Sequence, residues 1–149
     1  MQEDRPFDLS LDRAAGRLHW TLRGYWQPET VGHFAHALHA AMEGVGAPPW
    51  PLQGFGDTSD FPVQSVGVSQ ALSGLSDASG LFQNRVALVV GGMMNKLQAE
   101  RTFAGKPNIA AFLNRSEAEA WLAADPMRGH HFAADSLGTR RIAIASSAA

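Results

Sequence analysis

Aspartate and serine side chains near the middle of the chain could form a polar reaction centre. Asp57, Ser59 and Asp60 follow a segment with strand-like composition, and ligands of α/β proteins usually bind at the carboxyl ends of strands. Aspartate and serine also bond to the local backbone in ordinary turns. We favour turn chemistry for these residues, with an active-site cluster as the alternative.

A group of histidines raises the question of a metal site. His33, His36 and His39 lie in a segment with helical periodicity, in which about 100° per residue spreads them over about 120° of helix surface. One metal ion could use a neighbouring pair, but a single helix cannot direct all three side chains towards it. A solvated polar helix face is the better interpretation, and we expect no metal and no cofactor.

Two consecutive glycines, Gly91 and Gly92, stand between a predicted strand and a predicted helix, where backbone N–H groups could hold a phosphate. The remaining spacing of a dinucleotide fingerprint or a P-loop is absent, so a tight turn is the better interpretation. The chain contains no cysteine, which excludes thiolate nucleophiles and thiolate metal sites. Because no nucleophile–base pair, metal set or phosphate loop is recognisable, an enzyme is the least favoured class of function.

The composition is that of one ordinary globular domain. The 149 residues are 45% hydrophobic and 17% charged, with a net charge of −2, and about 100–200 residues per domain is usual. So small a net charge provides no broad cationic surface for nucleic acid. The first residues contain no apolar signal segment, and the longest apolar run, Val86–Val90, is far shorter than the roughly 20 residues that span a bilayer. We therefore expect a soluble, cytoplasmic protein without a membrane span.

The pattern of apolar residues predicts the elements that position these side chains. Apolar and polar residues alternate over 7–12 and 17–23, which predicts two strands of an antiparallel hairpin. Pro28 suits the first turn of a helix, and an apolar stripe that includes Val31 and Phe34 continues with helical spacing. The chain therefore begins with two strands and a helix.

Predicted strands and helices alternate along the rest of the chain. The patterns indicate strands over 50–57, 85–90 and 108–113, and helices over 62–84, 93–104 and 117–124. Met93, Leu97 and Ala104 align as the apolar stripe of the second of these helices, and Ser116 begins a capping box before the last one. The order ββαβαβαβα favours an α/β fold, with a single mixed, mostly parallel sheet of about five strands flanked by helices.

The predicted domain covers residues 1–124, and residues 125–149 form a C-terminal extension. The extension is small, polar and in places basic, with no clear period, and residues 140–145 could add an edge strand or stay flexible. Within the domain, Tyr25, Trp26 and Trp50 could crowd one edge of the sheet as an interface or a pocket. Covering the core is the favoured role, because large aromatic side chains are mostly buried.

Two strand-to-helix turns resemble those of the STAS domain, a family named for sulfate transporters and anti-sigma-factor antagonists, and of a related bacterial group of antagonist-like proteins. The second strand of that family ends in a Gly-x-Leu-Asp-x-x-Thr-like turn, matched in position by Gly24, Trp26, Gln27 and Thr30. Its third strand ends in Asp-x-Ser, as residues 57–59 do here. The resemblance covers residues 7–124.

The second helix of the family begins with Asp-Ser-Ser-Gly, and the first of these serines is the phosphorylation switch. Residues 64–67, Gln-Ser-Val-Gly, occupy the matching positions, so the resemblance implies a switch at Ser65. A phosphate at a helix start is stabilised by free N–H groups and by the helix dipole. The alternative is that Ser65 only caps the helix. Glutamine replaces the aspartate of the family at both 27 and 64, and Val66 replaces the second serine.

The resemblance implies a non-enzymatic regulatory module that binds a protein partner of the anti-sigma-factor kinase type. The contact candidates are Trp26, Gln27, Asp57, Ser59, Gln64 and Gly67. The alternative function is the binding or sensing of a small molecule or lipid, in an apolar pocket between helices and sheet near Trp26, Trp50 and Met93. The oligomeric state stays open, with a homodimer as one expectation.

Overall fold

Strands and helices alternate along the chain in the computed structural model, which describes residues 5–47, 49–78 and 81–125. The elements in chain order are β1 (Phe7–Asp12), β2 (Arg17–Arg23), α1 (Pro28–Ala41), β3 (Gln53–Asp60), α2 (Val66–Asp77), β4 (Val86–Val90), α3 (Met93–Thr102), β5 (Ile109–Phe112) and α4 (Arg115–Ala123). The predicted order ββαβαβαβα is confirmed. Apart from Asp125, the predicted C-terminal extension, with its candidate edge strand over 140–145, lies outside the described residues.

The five strands stand side by side in the order in which they occur in the chain. β1 and β2 pair in antiparallel fashion, and each later strand adds in parallel beside its predecessor. Every crossover therefore steps in the same direction, and such connections are right-handed. As a result α1, α2 and α3 lie on one face of the sheet, and α4 returns over the other. The predicted single mixed, mostly parallel sheet is confirmed.

An apolar core lies on each face of the sheet. The larger core joins Trp20 of β2 and Leu88 of β4 to residues of α1 and α2. The smaller core joins Phe55 of β3 and Val89 of β4 to Leu122 of α4. All five residues of β4 are buried, which is the expected property of an inner strand that is covered by helices on both faces.

β3 begins and ends later than the sequence predicts. It covers Gln53–Asp60 rather than 50–57, and Trp50 instead forms an isolated parallel bridge with Phe82. Pro51 follows Trp50 and cannot donate a ladder hydrogen bond, so continuous pairing starts beyond it. Asp57 consequently lies within the strand, close to its carboxyl end, rather than in the turn that follows.

α2 is much shorter than the predicted helix over 62–84. It covers Val66–Asp77 because Ser65 is extended and accepts a hydrogen bond from Val68 N at 3.2 Å through its side chain. That bond satisfies one of the free N–H groups of the first turn. Gly74 lies inside the helix without breaking it, and Ala78 is the C-terminal cap.

α4 also starts at a different cap from the one predicted. The sequence predicts a capping box that begins at Ser116, but Asn114 is the N-terminal cap and the helix covers Arg115–Ala123. The Asn114 side chain accepts a hydrogen bond from Glu117 N at 2.8 Å and another from the Ser116 hydroxyl at 3.0 Å. Asparagine is at least as good an N-cap as serine, so the earlier residue takes the position.

α3 presents the opposite face from the one predicted. Met93 and Leu97 are 56% and 42% exposed, although the sequence predicts them as part of a core-facing stripe. Asn95, Gln98 and Thr102 are only partly exposed and form hydrogen bonds within the protein. Periodicity defines two faces of a helix but does not say which one packs, and here the face with Asn95, Gln98 and Thr102 packs.

His19 projects from β2 towards the face that α4 covers, and its Nε2 atom is buried with no hydrogen-bond partner among the described residues. The ring lies 5.3 Å from the ring of Phe55, and Nε2 is 3.9 Å from Asp12 Oδ2. Desolvation by burial lowers the pKa of His19 from its usual 6.5, against the attraction of Asp12, which raises it. The folded protein therefore disfavours the protonated ring.

The first testable prediction is a pH dependence of stability that arises from His19. Because its pKa is lower in the folded than in the unfolded state, its stabilising contribution is fully present above pH 6.5 and is lost as the pH falls towards the lowered pKa. The expected result is that the free energy of unfolding falls from about pH 7 to about pH 5 in the wild type and falls less in His19→Gln. Urea denaturation over this range measures both profiles, and parallel profiles would contradict the prediction.

Candidate interaction site at the carboxyl end of the strands

Ser65 stands at the start of α2, beyond the carboxyl end of β3. It is half-buried, its hydroxyl oxygen accepts from Val68 N at 3.2 Å, and its carbonyl accepts from Ser69 N at 2.9 Å. The first turn of α2 contains no acidic residue. A helix start of this kind stabilises negative charge through its free N–H groups and its dipole, so the position is chemically suited to a phosphate.

Gln64, the residue before Ser65, connects the two strand-to-helix turns. It is only 6% exposed, and its side-chain oxygen accepts from Trp26 N at 2.8 Å. Its side-chain nitrogen donates to the carbonyl oxygens of Gly24 at 3.0 Å and Pro62 at 2.7 Å. All three bonds go to backbone groups, so Gln64 holds the turn after β2 against the loop after β3.

A second pair of hydrogen bonds ties this loop to α3. Gln64 N donates to the side-chain oxygen of Gln98 at 2.8 Å, and the side-chain nitrogen of Gln98 donates to Gln64 O at 2.8 Å. The sequence did not single out Gln98, because a glutamine in a helix carries no signal of a distant backbone partner. The loop that carries Ser65 is therefore fixed from both sides.

Trp26 is part of the core rather than of the surface. It is 2% exposed, its indole N–H donates to Arg23 O at 2.9 Å, and its ring meets the rings of Phe7, Phe34 and Phe61. Trp50 is likewise buried, whereas Tyr25 is 61% exposed. The expectation that these three aromatic side chains cover the core therefore holds for the two tryptophans but not for Tyr25.

The starts of α1 and α2 lie next to each other. Gln27 is the exposed N-terminal cap of α1, and its backbone N–H donates to the Thr30 hydroxyl at 3.3 Å. Gly67 is exposed in the first turn of α2, and a Cβ atom there would lie 3.5 Å from Pro28 Cγ. Gln27 and Gly67 are therefore accessible beside Ser65, in contrast to the buried Gln64 and Trp26.

Asp57 and Ser59 bond to each other at the end of β3. The Asp57 carboxylate accepts from Ser59 N at 3.1 Å and from the Ser59 hydroxyl at 2.6 Å, which is the local turn chemistry expected of these residue types. Gly91 lies directly opposite, where a Cβ atom would stand 2.5 Å from Ser59 O. A side chain at 91 would collide with this backbone, so close approach is the physical reason for glycine there.

Large apolar side chains are exposed at the same end of the molecule, and six of them we call the apolar edge: Tyr25, Val63, Val66, Met93, Met94 and Leu97. They follow the carboxyl ends of β2, β3 and β4, and their exposed fractions range from 42% at Leu97 to 72% at Val66. Sequence reasoning missed most of this surface. The sequence offered no clear signal of it, because apolar residues at helical spacing, adjacent ones included, predict a core-facing stripe.

The histidines of α1 point to solvent. His33, His36 and His39 are all exposed, and Nδ1 of His39 lies 2.9 Å from Ala35 O in the preceding turn. In the part of the chain that the structure describes, no three histidine, aspartate or glutamate side chains gather into a metal-binding group. The described ranges likewise contain no helix with the length and hydropathy to cross a membrane.

An apolar cavity of about 330 Å³ lies between the sheet and helices α1, α2 and α3. Ser69, Leu72 and Leu75 of α2 line it, together with Leu88 of the sheet. The sequence predicted an apolar pocket in this layer, near Trp26, Trp50 and Met93. Trp20 lines the cavity, whereas Trp26, Trp50 and Met93 do not.

Solved structures share this architecture. An uncharacterized protein of the DUF3478 family from Shewanella loihica PV-4, described as having a SpoIIAA-like fold, matches with a TM-score of 0.57 at 18% identity, over 78% of this chain and 93% of its own. A serine-to-glutamate variant of RsbS from Moorella thermoacetica matches with a TM-score of 0.53 at 16% identity, over 80% and 96%. No protein-family model and no curated protein matches the chain. The chain therefore has the SpoIIAA-like fold, in agreement with the α/β fold expected from the resemblance of its two strand-to-helix turns.

Proposed function

We propose that this chain is a non-enzymatic regulatory module that acts in the cytoplasm by binding a protein partner through the apolar edge. The observation that carries the proposal is the orientation of α3, which exposes Met93, Met94 and Leu97, while Asn95, Gln98 and Thr102 form hydrogen bonds within the protein. Exposed apolar side chains that cluster on one surface mark an interaction site. In line with the resemblance, the partner is a kinase of the anti-sigma-factor type.

Ser65 is the proposed control point of this interaction. It precedes Val66, the most exposed residue of the apolar edge, so a phosphate on Ser65 would stand inside the surface that the partner covers. The helix start accommodates the added charge in the free protein. On binding, the partner would have to desolvate nearly two negative charges next to apolar side chains, which weakens the complex.

The second testable prediction concerns binding to the native partner. Ser65→Asp is expected to reduce capture of the partner from a lysate of the native organism by about tenfold or more, because burying an unpaired charge costs several kcal/mol. Ser116→Asp is the matched control, since it places the same charge in the first turn of α4 on the opposite face. Equal partner affinity for wild type and Ser65→Asp would rule out the switch.

The apolar edge is tested separately from the switch. Met94→Glu puts a charge on an exposed side chain without touching a cap or a buried bond, so the fold should be unaffected. Loss of partner binding in this variant supports the interface even where Ser65→Asp has no effect.

A homodimer is the alternative occupant of the same surface. Light scattering that shows a dimer in the wild type and a monomer in Met94→Glu would assign the edge to self-association.

A second candidate function is the binding or sensing of an apolar small molecule, and the cavity beneath α2 supports it. Its volume of about 330 Å³ falls within the roughly 300–1,000 Å³ range of ligand pockets. Native mass spectrometry of the purified protein tests this function, because an apolar ligand retained through purification appears as added mass. This outcome is independent of partner capture.

A further inference from the structure

The polar side chains on the cavity wall are already paired within the protein. Thr58 donates from its hydroxyl to Val89 O at 2.6 Å, and Asn95 donates to Phe61 O at 3.0 Å. Gln98 exchanges two bonds with Gln64, and Thr102 donates to Gln98 O. Groups bonded in this way offer little to a polar ligand, so most of the cavity is suited to an apolar one.

The charged side chains of the cavity wall lie together at one place. Among the described residues of the wall, Lys106 and Asp77 are the only charged ones, and Lys106 Nζ lies 3.0 Å from Asp77 Oδ1. The pair joins the C-terminal end of α2 to the loop between α3 and β5. The cavity therefore has an apolar body and a single ionic end.

The two side chains of this ion pair differ greatly in their exposure to solvent. The Lys106 side chain is 18% exposed, whereas the Asp77 side chain is 66% exposed. A largely buried lysine side chain is stabilised by an anionic partner, but an exposed carboxylate gains little from one particular pairing. Asp77 can therefore turn into solvent when another carboxylate takes its place, whereas Lys106 stays at the cavity.

We propose that the cavity binds a single-chain apolar monocarboxylate, such as a medium-chain fatty acid, with its carboxylate on Lys106 in place of Asp77. The chain of the ligand would lie among the apolar side chains beneath α2, which include Leu72, Leu75 and Phe103. The volume is at the lower end of the ligand-pocket range of about 300–1,000 Å³, which suits one chain rather than a two-chain lipid. The inference rests on the second function proposed above, the binding of an apolar molecule.

The test compares decanoate with 1-decanol by isothermal titration calorimetry, using the delipidated full chain. The wild type is expected to bind decanoate more tightly than the alcohol. Lys106→Met should weaken decanoate binding by about tenfold, which corresponds to the loss of a charge-assisted hydrogen bond, and should leave decanol binding unchanged. Asp77→Asn should strengthen decanoate binding, because the competing carboxylate is gone.

A variant whose cavity is filled by a larger side chain tests whether the two ligands bind at another site. Leu75→Trp places bulk on the cavity wall and should abolish binding of both ligands. Leu113→Trp, at an exposed position that does not line the cavity, should bind both as the wild type does. Binding that survives Leu75→Trp, with circular dichroism showing a folded protein, would overturn the cavity as the site.

The outcomes separate the two proposals. Equal affinity for acid and alcohol, unaffected by Lys106→Met and Asp77→Asn, would overturn the carboxylate class while leaving the binding of apolar molecules in place. Binding of neither ligand, together with no added mass on the native protein, would overturn both. A preference for the acid that Lys106→Met removes and Asp77→Asn enhances supports the inference in full.

Discussion

Gly56→Ala is expected to destabilise the protein by about 3 kcal/mol, at the upper end of the range for overpacked cores. A Cβ atom at 56 would overlap the indole nitrogen of Trp20 and would lie 2.8 Å from Leu88 Cδ2. Movement of Trp20 is restrained, because its ring packs against the rings of Phe34 and Phe82. Gly54 makes the same contact, with a Cβ position 2.7 Å from Trp20 Cη2. The two glycines of β3 thus provide the space that Trp20 fills.

Chemical denaturation of Gly56→Ala and of two controls measures this effect. Gly32 in α1 and Gly74 in α2 both have open space where a Cβ atom would stand, with no other group within 4 Å. Alanine at either site should therefore stabilise the protein by about 0.5–1 kcal/mol through helix propensity. Trp20→Leu should lower the additional cost of Gly56→Ala, since the clash is with the indole. A Gly56→Ala protein within about 1 kcal/mol of the wild type would show that the ring has room to shift.

Gln64→Glu is expected to cost about 3–5 kcal/mol, as for other uncompensated buried charges. The side-chain nitrogen of Gln64 donates to two carbonyl oxygens, and a carboxylate would put a charged acceptor in its place. Burial also disfavours the ionised form, so the introduced carboxyl group should titrate above the usual range of glutamate. The destabilisation should therefore shrink as the pH falls and the group becomes a neutral donor.

Gln27→Glu is the matched control. Positions 27 and 64 are the two at which glutamine replaces an aspartate of the STAS pattern, yet Gln27 is exposed at the start of α1. A negative charge at a helix N-terminus is neutral to slightly favourable, by about 0.3–1 kcal/mol. Urea denaturation of both variants at neutral and acidic pH provides the comparison. Similar, pH-independent stabilities of the two variants would contradict the structural role assigned to Gln64.

These two positions also show why a resemblance in sequence did not define the site. Both glutamines occupy equivalent places in short motifs, and the sequence offered both as contact candidates. The structure separates them, because Gln64 turns inward to bond Trp26 N and the carbonyls of Gly24 and Pro62. Those partners lie as many as 40 residues away, and no local pattern encodes such a contact.

The order of the elements and the sheet that they build were determined by the sequence itself. Alternation over 7–12 and 17–23 is a local property of a half-buried strand, and the inner strand through 86–90 is apolar at every position because both of its faces are covered. Right-handed connections between parallel strands then leave few ways to arrange the chain. These signals act within a few residues of each other, so one sequence was enough to place them.

Only the tertiary structure decided which faces are buried and which are free. α3 packs through the face that carries Asn95, Gln98 and Thr102, and Gln98 bonds to the backbone of the loop at Gln64. That choice exposes Met93, Met94 and Leu97 beside Ser65, and it leaves the cavity beneath α2 lined by Trp20. Burial depends on what the rest of the chain brings to each surface, and for that reason the turns were predictable from the sequence while the surface around them was not.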